Sequence, residues 1–241
     1  MVTPFDAGIL HFLNQFAQRS WLFDKTAVFA STDPFVTGGV ALAFFWWAWF
    51  RKRSDQLRDR QILICGFVTA FVALLLARTL ASTLPFRARP YLNMDLQFRP
   101  PLGTSEYYSD LLHWSSFPSD HAVLYFSLAT SIFLISKRAG LLAYAHALIV
   151  VCLPLVYLGE HYPSDILAGA LLGIGIGRLS AIAPLYKILA RRPLQLLALS
   201  PECFYPLMFL CSFLFATNFN SVRKITFYAF HVLIGAHHVE Y

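Results

Sequence analysis

The feature that most constrains this chain is a series of long apolar stretches, each bounded by polar or basic residues. A membrane hydrocarbon core of about 30 Å is crossed by about 20 apolar residues in an α-helix. Five stretches approach or reach that length: residues 34–50, 62–83, 118–136, 141–158 and 166–185. The sequence therefore predicts an all-α fold, a polytopic membrane helix bundle of about five to six transmembrane helices.

Composition excludes the other broad classes of protein. Of the 241 residues, 57% are hydrophobic and 13% are charged, whereas soluble domains carry about 25% charged residues. Neither a soluble domain nor a disordered chain has this balance. The net charge of +6 suits basic loops on the cytoplasmic side of a membrane, so we expect no nucleic-acid partner. The cysteines lie in apolar stretches without paired spacing, which argues against a disulfide framework.

Three segments divide the chain. Residues 1–33 form an N-terminal amphipathic segment, residues 34–185 the transmembrane bundle, and residues 186–241 a short hydrophobic segment with an amphipathic tail. Apolar residues at helical spacing in residues 5–18 predict an amphipathic helix on the membrane surface or against the bundle, with Asp6 facing elsewhere. These apolar residues are Phe5, Ile9, Phe12, Leu13 and Phe16.

Basic residues predict the orientation of the bundle. Eleven Lys and Arg residues lie in residues 51–60, 137–138 and 178–192, against three in residues 84–118 and 159–165. Cytoplasmic loops carry the excess of Lys and Arg. The two regions with few cations are therefore expected on the extracytoplasmic side.

Polar clusters at this outer side contain the residues best suited to chemistry. Arg87 and Arg89 follow the second apolar stretch, and Ser119 lies at the start of the third, directly after a proline. A Pro-Ser pair at a helix start is an N-cap signal, and the free N–H groups there can bind an anion. Arg89 can add a bidentate clamp for phosphate.

Two histidines complete the predicted site. His161 and Asp165 are four residues apart across a loop-to-helix junction, and both side chains lie on one face if the backbone is helical there. A carboxylate bonded to one imidazole nitrogen fixes the tautomer and leaves the other nitrogen free to attack. His121, two residues after Ser119, can protonate a leaving oxygen. Together these groups suit phosphoryl transfer through a phosphohistidine.

The clusters resemble the three-part signature of the type 2 phosphatidic acid phosphatase superfamily of membrane lipid phosphatases. The resemblance covers about residues 60–180. The residues of its second and third motifs are similar to those of bacterial undecaprenyl-pyrophosphate phosphatases. The matching residues are Arg89-Pro90, Pro118-Ser119-Asp120-His121, and His161 with Asp165.

The resemblance implies roles for these residues. His161 would be the nucleophile with Asp165 as its partner, His121 the general acid, and Arg89 and Ser119 phosphate ligands. It implies a metal-independent hydrolase without a cofactor, acting on a membrane lipid phosphate or diphosphate. The expected substrate is a polyprenyl diphosphate, and the expected location is the extracytoplasmic face of a plasma membrane.

Two positions depart from the family pattern. Ser82 stands where the first motif has Lys, and Leu155 stands where the third motif has Arg. Arg78, one helical turn before Ser82, and Arg87 are candidate replacements for phosphate binding. Because two of the family's phosphate-binding cations are missing at these positions, two alternatives stay open. One is a phosphotransferase or head-group transferase on the same scaffold, and the other is a non-catalytic lipid-binding derivative.

Overall fold

All regular elements in the described part of the chain are helical, which confirms the all-α class. A computed structural model describes residues 2–104, 108, 111–112 and 114–219, with no strand among them. The main helices are α1 Pro4–Asn14, α2 Trp21–Thr32, α3 Phe35–Phe50, α4 Gln56–Thr83, α5 Asp120–Ile135, α6 Lys137–Tyr157, α7 Pro163–Gly177, α8 Ala183–Leu199 and α9 Pro201–Ala216.

Three helices are long and apolar enough to cross a membrane. They are α4, α6, and α7 with its short 3-10 extension to Ala181; the bent pair of α2 and α3 would make a fourth span. The helices α5 and α9 are also apolar but have 16 residues each. The chain is therefore a helical membrane protein by length and composition, and the predicted number of five to six spans stays a prediction.

A bend of 66° separates α2 from α3. It lies at Asp33-Pro34, where the sequence predicts a kink because proline disfavours helical backbone at the preceding residue. Asp33 has an extended backbone. Its Oδ1 atom accepts hydrogen bonds from the N–H groups of Phe35 and Val36 at 2.9 and 3.0 Å. The Asp33 side chain therefore caps the start of α3.

The centre of the bundle is α5, which packs against α4 and α7. A stripe of glycines lets α7 approach the backbone of α5. A Cβ atom added at Gly173 would lie 2.4 Å from the Val123 carbonyl oxygen, and one at Gly169 would lie 2.6 Å from that of Ser119. Small residues at such spacing permit close helix contact in membranes. The stripe thus holds together the two helices that begin at the predicted histidine motifs.

The N-terminal helix α1 lies with its phenylalanines outward. Phe5 and Phe12 are 54% and 59% exposed, whereas Asp6 is fully buried and Leu10 is 2% exposed. The helix is thus docked on the bundle through the side that contains Asp6. Asp6 thus faces away from the exposed phenylalanines, as the helical spacing predicts, and buried hydrogen bonds hold its carboxylate.

The loop that follows α4 is tied to this N-terminal region. Asn14 and Arg99 exchange two hydrogen bonds: the Asn14 side-chain amide donates to the Arg99 carbonyl at 2.7 Å, and the Arg99 N–H donates back at 2.9 Å. The Gln18 amide donates to the Pro100 carbonyl at 2.9 Å. The loop therefore packs over α1.

The C-terminal region contains two helices instead of one long apolar helix. The helix α8 packs on α4, and Ser200 separates it from α9. Residues 194–216 consequently do not form the continuous helix that would let this stretch span alone. The predicted amphipathic tail lies beyond residue 219, outside the described residues.

Candidate active site

Backbone hydrogen bonds join the three polar clusters at one end of the bundle. The Ser116 N–H donates to the Arg87 carbonyl at 3.0 Å, which links the first cluster to the second. The Ser119 N–H donates to the Asp165 carbonyl at 3.3 Å, which links the second to the third. Segments separated by about 30 to 80 positions of sequence thus form one site.

The end of α6 positions His161. Gly159 has a φ of +71°, a conformation that suits glycine, and a Cβ atom there would lie 2.6 Å from the Phe98 ring. After this turn, the N–H groups of Glu160 and His161 both donate to the Leu155 carbonyl, at 2.9 and 3.3 Å. The backbone of His161 is thereby fixed to the last turn of α6.

The imidazole of His161 is buried, with 4% of the residue exposed. Its Nδ1 atom lies 2.8 Å from the Ser116 carbonyl oxygen and 3.7 Å from Oδ2 of Asp165. A carbonyl oxygen only accepts hydrogen bonds, so Nδ1 carries the proton and Nε2 carries the lone pair in the neutral ring. The sequence predicts Asp165 as the group that orients His161, whereas the structure gives this hydrogen bond to Ser116.

The oxygens of Asp165 are held by other partners. Asp165 is fully buried in the first turn of α7. Its Oδ2 atom accepts a hydrogen bond from the Tyr162 N–H at 2.8 Å, as in a capping box, and its Oδ1 atom accepts one from Arg87. Asp165 consequently lies beside His161 as a nearby negative charge.

Arg87 has its guanidinium group between two buried carboxylates. It donates to Asp165, to Asp6 at 2.9 Å and to the Ser164 hydroxyl at 2.9 Å. Its guanidinium carbon also lies 4.0 Å from the centre of the Tyr162 ring, within range of a cation–π contact. These contacts make Arg87 a structural link in the site, and its predicted role as a phosphate ligand stays a prediction.

Arg89 is buried beside the residue that precedes His161. It is 6% exposed, and its Nη1 atom donates to the Glu160 carbonyl at 2.8 Å. Its Nε–H has no hydrogen-bond partner within the described ranges. A buried guanidinium with an unused donor is suited to bind an anion that enters the site.

Ser119 is the N-cap of α5, as the sequence predicts. The residue is fully buried, and its Oγ atom accepts a hydrogen bond from the Ala122 N–H at 3.4 Å. In the first turn of the helix, the Asp120 carboxylate accepts a hydrogen bond from the His121 N–H at 2.8 Å. Two N-terminal N–H groups of α5 are therefore satisfied by side chains.

His121 and Arg78 meet at Asp120. The Nδ1 atom of His121 lies 3.0 Å from Asp120 Oδ1, and Nη2 of Arg78 lies 3.6 Å from Asp120 Oδ2. Asn218 closes this group, since its Nδ2 atom lies 3.2 Å from Asp120 Oδ2 and 3.5 Å from His121 Nε2. His121 also lines a small pocket between the α2–α3 bend and the end of α9.

Three contributors were not predicted from the sequence: Asp6, Asn218 and the Ser116 carbonyl. An acidic residue in the first turn of a helix is common because it suits the helix dipole, so Asp6 carries no distinctive signal. Every residue has a carbonyl group, and nothing in the sequence marks the one at Ser116. Asn218 lies far along the chain, next to a segment without a recognisable motif.

The assembled groups suit phosphoryl transfer. They comprise an imidazole nitrogen with a free lone pair at His161, a guanidinium with an unused donor at Arg89, and a second imidazole with a carboxylate partner at His121. Within the ranges that the structure describes, no group of three or more His, Cys, Asp and Glu residues is arranged to hold a metal ion.

Comparison with known proteins identifies the family that the chain resembles. Residues 78–189 match the PAP2 superfamily, which confirms the resemblance, and all the predicted site residues lie in this range. The bacitracin transport permease protein BcrC of Bacillus licheniformis is 28% identical over 167 residues, which are 68% of this chain and 72% of the relative. No solved structure matches the chain significantly. These similarities support a membrane lipid phosphatase.

Proposed function

Because residues 78–189 match the PAP2 superfamily, we propose that the protein hydrolyses a lipid phosphate or diphosphate through a phosphohistidine on His161. The substrate that we propose is a polyprenyl diphosphate. The reaction takes place at the extracytoplasmic face of a plasma membrane, where the distribution of Lys and Arg directs the loops that contain the site.

The single observation that carries this proposal is the orientation of the His161 ring. In the neutral ring, the hydrogen bond from Nδ1 to the Ser116 carbonyl places the lone pair on Nε2, and a nitrogen with a lone pair is what a nucleophile requires. A phosphoryl group that reacts with His161 also needs a positive charge nearby. Arg89, bonded to the carbonyl of the preceding residue, supplies that positive charge.

The mechanism has two steps. In the first, Nε2 of His161 attacks the terminal phosphorus, the bond to the bridging oxygen breaks, and His121 gives its proton to the departing lipid phosphate. Arg89 and the remaining N–H groups at the start of α5 bind the phosphoryl oxygens. In the second, water attacks the phosphohistidine while His121 takes a proton from it. The phosphorus–nitrogen bond then breaks and inorganic phosphate leaves.

The surroundings of His161 favour the first step electrostatically. The ring gains a positive charge when Nε2 bonds to phosphorus, because Nδ1 keeps its proton. The Ser116 carbonyl oxygen at 2.8 Å and the Asp165 carboxylate at 3.7 Å both stabilise that charge. Preorganised groups of this kind are usually the largest contribution to catalysis.

The proposal is tested by measuring phosphate release from the detergent-purified protein with chelator present. The substrates are undecaprenyl diphosphate, undecaprenyl phosphate and phosphatidate. His161→Ala should lower kcat by about 10⁴-fold or more, since removal of a nucleophile has effects of that order. His11→Ala is the matched control, because His11 is exposed on α1 and should keep the wild-type rate.

The alternatives give different outcomes in the same assay. Release that persists in His161→Ala would contradict the mechanism. Binding of the diphosphate without release would indicate a lipid-binding protein or a transporter, the function that the name of the Bacillus relative states. Release that favours the diphosphate over both monophosphates would support the proposed substrate.

A second candidate function is phosphotransfer to a lipid or sugar hydroxyl. It is favoured by Leu155, which is 1% exposed and provides no charge where the family signature has Arg. With fewer cations at the site than in the family signature, the phosphohistidine would react with water more slowly and could transfer its phosphoryl group to another acceptor. Product analysis with and without acceptor lipid separates the two functions. An equal rate of phosphate release without acceptor would argue against transfer.

A further inference from the structure

The most unusual group near the proposed site is a carboxylate from outside the matched segment. Asp6 lies on α1, more than 70 positions before residue 78, and is fully buried. Its Oδ1 atom accepts a hydrogen bond from the Ser164 N–H at 2.9 Å. Its Oδ2 atom accepts one from the Ser164 hydroxyl at 2.8 Å and one from Arg87 at 2.9 Å.

Helix capping does not account for these contacts. An acidic residue that serves only its own helix keeps its oxygens near the N–H groups of that helix. Asp6 contacts the N-cap residue Thr3, but both of its oxygens also bind groups on other segments. A buried carboxylate is costly unless it is paired and hydrogen-bonded. Asp6 forms an ion pair with Arg87. Arg87 also forms an ion pair with Asp165, the carboxylate beside His161.

The charges of Arg87, Asp6, Asp165 and His161 sum to zero when the His161 ring is positive, as it is in the proposed phosphohistidine. Arg87 contributes one positive charge, while Asp6 and Asp165 contribute two negative charges, so the group has one negative charge in excess. When His161 bonds to phosphorus, its ring becomes positive and the four groups together are neutral. Without Asp6, Arg87 would neutralise Asp165 alone, and the positive ring of His161 would have no counter-charge within the group.

We propose that Asp6 is a positioning residue for the phosphatase site, which acts through Arg87 to keep Asp165 available as the counter-charge of His161. This inference rests on the proposed function. It makes the N-terminal helix α1 a part of the active site. Through Ser164, the same carboxylate holds the first turn of α7, from which Asp165 projects.

Two other charged groups near His161 have partners of their own. The Asp120 carboxylate of α5 also acts electrostatically on His161, but it is already paired with His121 and Arg78. Arg89 binds the backbone at Glu160 and has no carboxylate partner among the described residues. The balance between Arg87 and its two carboxylates is therefore what Asp6 controls.

Asp6→Asn tests this charge effect with little change of shape. The amide keeps an oxygen for the Ser164 N–H, so α1 can stay docked, but the negative charge is lost. We expect kcat to fall by about ten- to a hundredfold, the order expected for loss of one charge-assisted contact, with KM changed by less than about threefold. Asp95→Asn removes an exposed carboxylate from the loop after α4 and is the matched control.

The double variant Asp6→Asn/Arg87→Gln separates charge from docking. It removes one negative and one positive charge, so that Asp165 again leaves one negative charge in excess beside His161. Gln at position 87 can still donate one hydrogen bond to Asp165. We expect its kcat to exceed that of Asp6→Asn by severalfold. If Asp6 only docks α1, the double variant loses further contacts and is slower than Asp6→Asn.

The outcomes distinguish this inference from the proposed function. Wild-type release that depends on His161, combined with a wild-type kcat for Asp6→Asn, would overturn the inference and leave the phosphatase intact. A double variant slower than Asp6→Asn would also overturn it. A wild-type protein without any release would overturn both.

Discussion

The Nδ1 atom of His161 lies closer to the Ser116 carbonyl oxygen, at 2.8 Å, than to either oxygen of Asp165, of which the nearer is at 3.7 Å. The tautomer of the proposed nucleophile is therefore set by the backbone of the segment before α5. Ser119, in the same segment, caps α5 and donates its N–H to the Asp165 carbonyl. The nucleophile and the predicted phosphate ligand are thus positioned by one short stretch of chain.

Asp165→Asn should lower both stability and phosphate release. Asp165 is fully buried and bonded to Arg87 and the Tyr162 N–H. Removal of one partner from a buried ion pair costs about 3–5 kcal/mol. Thermal unfolding in detergent and kcat measure the two effects, with Asp95→Asn as the exposed control. Wild-type kcat in Asp165→Asn would show that the negative charge has no part in the reaction.

Gly173→Ala should separate α5 from α7. Its Cβ atom would lie 2.4 Å from the Val123 carbonyl oxygen, so backbone must move, at a cost of about 1–3 kcal/mol. Phosphate release should fall as well, since His121 lies in the first turn of α5 and Asp165 in the first turn of α7. Gly175→Ala is the control on the same helix, because a Cβ atom there meets nothing within 4 Å. Equal losses of stability in the two variants would contradict the close-packing argument.

Stability should fall in acid partly through Asp6. Burial raises the pKa of Asp6, but hydrogen bonds from Ser164 and Arg87 outweigh it and hold the pKa below 3.8. A carboxyl whose pKa is lowered by folding stabilises the protein above its unfolded pKa, and this contribution is lost as pH falls through the folded pKa.

The unfolding temperature of the wild type, measured from pH 7 to 3, should therefore decline most steeply below about pH 4. Asp6→Asn lacks the ionisable group, so the difference between the two proteins should narrow as the pH falls. A constant difference across this range would mean that the ionised form of Asp6 does not stabilise the fold.

Leu155→Arg should increase phosphate release if the missing cation limits the rate. Leu155 is 1% exposed. Its carbonyl accepts hydrogen bonds from the N–H groups of Glu160 and His161, so an arginine at this position would have its backbone next to that of the nucleophile. Overpacking should lower stability by about 1–3 kcal/mol. Leu155→Met reports the effect of altered packing without charge. If both variants have the same kcat, the absent cation is not what limits the rate.

Much of the architecture could be predicted because it follows from local properties. Apolar length predicts the helices around residues 62–83 and 141–158, and a proline predicts the bend after Asp33. The N-cap at Ser119 follows from the preference of serine for the residue just before a helix. The burial of Asp6 could not be predicted, because its partners Arg87 and Ser164 lie more than 80 positions away.

The sequence by itself determined the helical membrane class and the residue types that gather at one end of the bundle. Hydropathy acts along the chain, and the motif residues are close to one another within each cluster. Only the tertiary structure decided which nitrogen of His161 is free and which carboxylates Arg87 binds. Those choices depend on hydrogen bonds of about 3 Å between distant segments, and a carbonyl such as that of Ser116 is recognisable as a partner only after the chain has folded.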